Sequence, residues 1–323
     1  MTSDKTSSAD NYSFYEQNIE PWVERNGFAH WAMALIWVFV AALFFYALGF
    51  VLQTILIVTN LDLSTVSELT PSKLLELTKN KVVQFMVINT IAQVVSIGWM
   101  AFLGAKLHQR IKDKKPFLRL QKGDSLFPQI GLTIMLFIVA FPIVIFLGWI
   151  NSFLPTGDFM KNLAEQNAEI FRSLLELKGG LVFALLFVGI TPAICEELLF
   201  RGYMYRALEK STRVVVAIIV SSLVFSLFHI DLTGLLPRFF LGALLAYVTW
   251  TSNSLYPAMV GHLVNNGGLM IAASFNPEML TESPSPDSEM PWLLIGLSFI
   301  VTPGVLYLLN KYRSEINPKA EHV

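Results

Sequence analysis

The chain has 323 residues, of which 54% are apolar types and 15% charged, against about 25% charged in an ordinary soluble domain. Its net charge of −1 gives no electrostatic fit to nucleic acid. The single cysteine, Cys195, excludes an internal disulfide framework and a four-cysteine zinc site. Such a composition belongs in a bilayer.

The first 29 residues are polar, carry both charge signs and do not resemble a cleavable signal peptide. A bilayer core takes about 20 consecutive apolar residues per helix. Stretches of that kind run over 31–58, 82–104 and 130–154. Residues 158–178 follow, with Phe159, Leu163, Ile170, Leu174 and Leu175 at helical spacing among polar residues. That pattern predicts an amphipathic helix, either lying in the membrane interface or solvated as part of a loop. A fourth apolar stretch starts near residue 181 and continues as helix through Glu196 and Glu197 to about 207. Further stretches cover 214–229, a short 239–251, 257–273 and 292–309. The expectation is an all-α polytopic membrane helix bundle of about eight transmembrane helices, one unit over 30–310, with a polar segment 1–29 and a tail 311–323. No internal repeat or low-complexity tract interrupts it.

Orientation follows from Lys and Arg. With both termini cytoplasmic, fifteen basic residues fall inside, including the seven from Lys106 to Lys122, and seven fall outside, Arg238 among them. The segment 276–291 holds Glu278, Glu282, Asp287 and Glu289 and no base, which suits the outer side.

Spans one to three hold essentially no ionisable residue, whereas spans four to seven hold Glu196, Glu197, Arg201, His229 and His262. Charged groups at membrane depth are costly, about 2.5–3.5 kcal/mol each even on the lower scales, so they face a bundle interior and mark function. Glu197 and Arg201 are four apart in the favoured acid-first order of a helical ion pair. Glu196 is turned about 100° away and faces no base at i+4. The two carboxylates therefore differ, one neutralised and one free to carry a proton, which separates acid and base roles. A purely structural salt bridge is the competing reading of the pair. Phe225 and His229 are four apart, and so are His262 and Asn266, whose imidazole and carboxamide share one helix turn. Taken singly, each could merely tie helices together. Glu196 precedes the basic turn near residue 212 by about as many residues as His229 follows it, so an antiparallel hairpin would set them at one depth. The same arithmetic does not locate His262.

No HExxH and no GxSxG occurs. The ordered set Glu196-Glu197-x-x-x-Arg201, Phe225-x-x-x-His229 and His262-x-x-x-Asn266 resembles the three motifs of the CPBP family. These are the CAAX proteases and bacteriocin-processing enzymes, also called type II CAAX prenyl endopeptidase-like or Abi proteins. The resemblance covers about 180–275, a catalytic core within the bundle. It implies an intramembrane endopeptidase in which Glu196 activates a water shared with His229, and His262 and Asn266 hold the oxyanion. Glu197, Arg201 and Phe225 would support that geometry.

The family is commonly described as metalloprotease, and Glu196, His229 and His262 could supply a two-His, one-carboxylate zinc set. The metal-free alternative uses Glu196 as base and the histidines as hydrogen-bond partners. Asn266 beside His262 suits the second. The expected partners are the lipid bilayer and a membrane-associated protein or peptide, with a lipidated CAAX-type C-terminus as one form, in a bacterial plasma (inner) membrane. Two other classes compete: a catalytically silent immunity or scaffold protein, and a proton-coupled transporter, for which inverted repeats are missing.

Overall fold

A computed structural model describes residues 20–60, 70–110, 117–123, 125–280 and 285–316. Most of the polar N-terminal segment, residues 317–323 of the tail, and Lys112, Lys114, Lys115 and Glu282 lie outside those residues. All regular structure among the described residues is helical. In chain order the helices are α1 (His30–Asn60), α2 (Pro71–Asn80), α3 (Val82–His108), α4 (Leu126–Val139), α5 (Phe141–Asn151) and α6 (Asp158–Leu175). They continue with α7 (Gly180–Glu209), α8 (Val214–Phe228), α9 (Leu235–Ser252), α10 (Leu255–Phe275) and α11 (Trp292–Ile316).

The chain is a multi-pass membrane protein by its run of long apolar helices. Helix occupies every one of the eight expected stretches, but five helices have the length and apolarity to cross a bilayer unaided, and six if α4 and α5 count as one span. Those two meet at 43°, where Pro142 enters the first turn of α5 and cannot continue an upstream ladder. Helix α8 falls short by length, at 15 residues. Helix α10 is long enough at 21 residues, but His262, Asn265 and Asn266 lower its apolarity. The sixth stretch is longer than expected. It starts at Leu232, so Arg238 lies inside a helix rather than in an outer loop. The amphipathic α6 forms as expected and packs Ile170 and Leu174 inward, while Phe159, at its start, is 72% exposed.

Helices α3 and α7 are locally widened. Val94–Gly98 of α3 and both Leu185–Ile190 and Leu198–Tyr205 of α7 take π-helical turns, which tend to occur at functional sites. The cause in α7 is partly chemical: Pro192 has no N–H to give to the Val188 carbonyl four residues back. Thr191 bonds the Leu186 carbonyl through its hydroxyl at 2.9 Å, satisfying part of the disturbed ladder. Glu196 and Glu197 sit on the short α turn between the two widenings. One large core joins α1, α3, α7 and α8 around Phe200, Tyr203, Met204 and Tyr205.

Close approaches between helices use glycine. A Cβ on Gly98 would come 3.2 Å from Cys195 Sγ, bringing α3 against the acid pair of α7. A Cβ on Gly261 would lie 2.6 Å from the Phe137 ring of α4, so α10 seats closely there, one residue before His262.

Candidate functional site

Helices α7 to α10 supply the centre of the site. Glu197 and Arg201 of α7 form the ion pair, Nη1 to Oε1 at 2.9 Å, with both side chains fully buried. Arg201 also donates through Nη2 to the Gly242 carbonyl of α9 at 3.1 Å, and its guanidinium lies 4.3 Å over the Phe225 ring of α8. Phe225 thereby lies at the centre of the constellation, edge-on to His229 at 5.2 Å and to His262 at 6.0 Å.

His262 Nδ1 is 2.8 Å from the same Glu197 oxygen. A carboxylate paired with arginine only accepts, so Nδ1 carries the proton, and in the neutral ring Nε2 keeps a lone pair. Asn266 Nδ2 approaches that Nε2 at 3.2 Å and donates its other hydrogen to the Val188 carbonyl at 3.1 Å. This is the carbonyl that Pro192 leaves free, so a missing backbone donor on α7 fixes a side chain on α10. Asn265 Nδ2 in turn donates to Asn266 Oδ1 at 3.0 Å. His229, half-buried at the end of α8, directs Nδ1 to the Phe225 carbonyl at 3.0 Å and so leaves Nε2 as its free nitrogen.

His229, His262, Asn265 and Asn266 line one cavity of about 70 Å³ together with Phe225, Phe137 and Arg238. That volume is enough for about two water molecules. Glu196 stands beside the cavity rather than in its wall. Its Oε2 is 3.9 Å from His262 Nε2, and the side chain keeps 10% of its surface open. Among the described residues it makes no hydrogen bond or ion pair with His229. Helices α7 and α8 instead meet where Phe200 packs against Phe225 and Phe228. The equal-depth arithmetic assumes uniform helix, whereas α7 is widened at Leu198–Tyr205, between Glu196 and the loop.

Three contributions were not read from the sequence. Gln93 of α3 donates through Nε2 to Glu196 Oε1 at 3.1 Å. Arg238 brings a cation to the cavity and is paired with Asp231 at 3.0 Å. Burial alone would raise the Asp231 carboxyl, but bonds from Thr233 and the Arg238 charge hold it below its ordinary value. Asn151 at the end of α5 clasps the turn after His229, donating to the Leu232 and Thr233 carbonyls and accepting from the Leu236 amide. Only a glutamine inside an apolar run, and an asparagine ending one, signalled any of this.

The zinc reading does not fit this geometry. Among the described residues no three His, Cys, Asp or Glu side chains gather at ligand spacing, so Glu196, His229 and His262 form no ligand set. His262 has its Nδ1 on Glu197 and its Nε2 against Asn266.

Residues 178–268, which carry Glu196, Glu197, His229, His262, Asn265 and Asn266, match the family described as type II CAAX prenyl endopeptidase Rce1-like. Over this segment the chain is similar to the CPBP/CAAX proteases. It is also 37% identical over 106 residues to the membrane-embedded CAAX protease MroQ of Staphylococcus aureus (strain USA300). That match covers 30% of this chain and 42% of the relative. No solved structure matches. The CAAX protease segment spans α7 to most of α10, so α3, which supplies Gln93, lies outside it.

Proposed function

We propose that the chain is an intramembrane endopeptidase, with 180–275 as its catalytic core, hydrolysing a peptide bond of a membrane-associated protein or peptide. The observation that carries this reading is the unequal treatment of two adjacent carboxylates. Glu197 gives one oxygen to both Arg201 and His262 and buries the other, while Glu196 is held by one neutral amide and keeps an open oxygen next to the histidine cavity. An open carboxylate in a low-dielectric site is a base with little competing solvation.

In the proposed reaction a water in the cavity gives a proton to Glu196 Oε2, and its oxygen bonds to the scissile carbonyl carbon. His229 Nε2 orients that water. The oxyanion that develops is met by the Asn266 N–H that otherwise faces His262 Nε2, and His262 sets the place of that amide. Collapse of the tetrahedral adduct breaks the C–N bond as Glu196 returns its proton to the leaving amine. One oxyanion donor of this kind is worth about 2.7–4 kcal/mol. The family likeness supports a lipidated CAAX-type C-terminus as one substrate form, and the distribution of Lys and Arg supports cytoplasmic termini in a bacterial inner membrane.

The test is cleavage of a farnesylated peptide ending in a CAAX sequence by the full chain in liposomes. Glu196→Gln should lower turnover by about 10²–10⁴-fold, the usual weight of a general base, with the thermal midpoint kept. A silent scaffold protein would show no wild-type cleavage. Exhaustive chelation should leave turnover unchanged. Loss of cleavage together with removal of stoichiometric zinc would overturn the metal-free form of the mechanism.

A further inference from the structure

We infer that Gln93, on a helix outside the matched CAAX protease segment, is the positioning residue for Glu196 in the reaction proposed above, on which this inference rests. Gln93 is 5% exposed, and its carboxamide makes one hydrogen bond, Nε2 to Glu196 Oε1 at 3.1 Å. A carboxylate only accepts, so the amide cannot be turned over without losing that bond. Its Oε1 is then left buried with no partner, a rare condition for a polar atom inside a protein. The one bond the carboxamide makes is the bond to Glu196.

The consequence falls on the other carboxylate oxygen. With Oε1 tied to α3, Oε2 is directed to the side of His262 and stops 3.9 Å from its Nε2, beyond hydrogen-bond length. Freed from Gln93, the carboxylate can swing the remaining distance and close directly on the imidazole. That closed pair would bury the base against the imidazole and exclude the attacking water from between them. Gln93 holds the gap open. The backbone is arranged for this reach: Gln93 immediately precedes the widened turn Val94–Gly98, and Gly98 lets α3 approach Cys195, the neighbour of Glu196.

The experiment measures kcat, KM and thermal midpoint together for the full chain in liposomes, with the farnesylated CAAX peptide as substrate. Gln93→Met keeps the length and removes the donor. Gln93→Asn keeps the donor and shortens its reach. Both should lose about 10- to 100-fold in kcat, the range of a hydrogen bond to a charged group, with Asn the milder, while KM and midpoint stay near wild type. A helix-gluing role would instead lower the midpoint and leave the kcat of the folded fraction intact. Either variant turning over at the wild-type rate, or a kcat loss that tracks the midpoint, overturns the inference. Should Gln93→Met fail to fold, Gln93→Asn decides. Failure of the wild type to cleave the peptide sinks the protease reading instead, and the two failures are distinct.

Discussion

Helices α1 and α7 are nearly equal in length, 31 and 30 residues, and both are apolar enough to cross a bilayer. Only 11% of the most apolar window of α1 is buried within the protein, against 50% for α7. Helix α1 carries no charge past His30 and presents Phe39, Phe50 and Ile55 outward. Helix α7 buries two carboxylates and a guanidinium and breaks its own regularity twice. Apolarity alone therefore says where a helix can reside, while interior polar groups say which helix the others must surround.

After Glu196→Gln, the largest expected effect on this contrast comes from Arg201→Met. It leaves the Glu197 charge buried with one histidine, and removing one partner of a buried pair costs about 3–5 kcal/mol. Thermal unfolding in detergent should show a large fall, much of it regained in Arg201→Met with Glu197→Gln. A single variant as stable as wild type would break the claim that α7 is the organising helix. Gly261→Val should come next. Overpacking against Phe137 costs about 1–3 kcal/mol, and because His262 is the next residue, cleavage should fall further than stability. Phe50→Ala should do least. At 72% exposed on α1 it should stay within about 0.5 kcal/mol of wild type by the same unfolding measurement. A loss comparable to that of Gly261→Val would show that α1 is packed rather than lipid-facing.

Much of this was legible beforehand. The helical stretches, the Glu197–Arg201 pair and the His262–Asn266 neighbours follow from apolar run length and from i,i+4 spacing, which are local rules. Gln93 was not legible, because one amide in an apolar run states no direction until the helix is packed. Apolar run length places Arg238 in an outer loop, because the sixth run reads as starting only after it. The depth match of Glu196 with His229 rests on uniform helix, whereas π-turns alter both rise and facing, and nothing in residue spacing announces them except Pro192.

The order of residues by itself determined that this chain enters a membrane and that the ionisable residues within its apolar stretches gather in one half. Those are consequences of transfer free energy and helix period, which act along the chain. Only the packed structure decided that Asn266 takes the carbonyl Pro192 leaves free, that His262 sits on Glu197, and that an amide from α3 holds Glu196. Each of these joins residues far apart in sequence, and a hydrogen bond is directional over about 3 Å, so only the assembled helices can choose its partners.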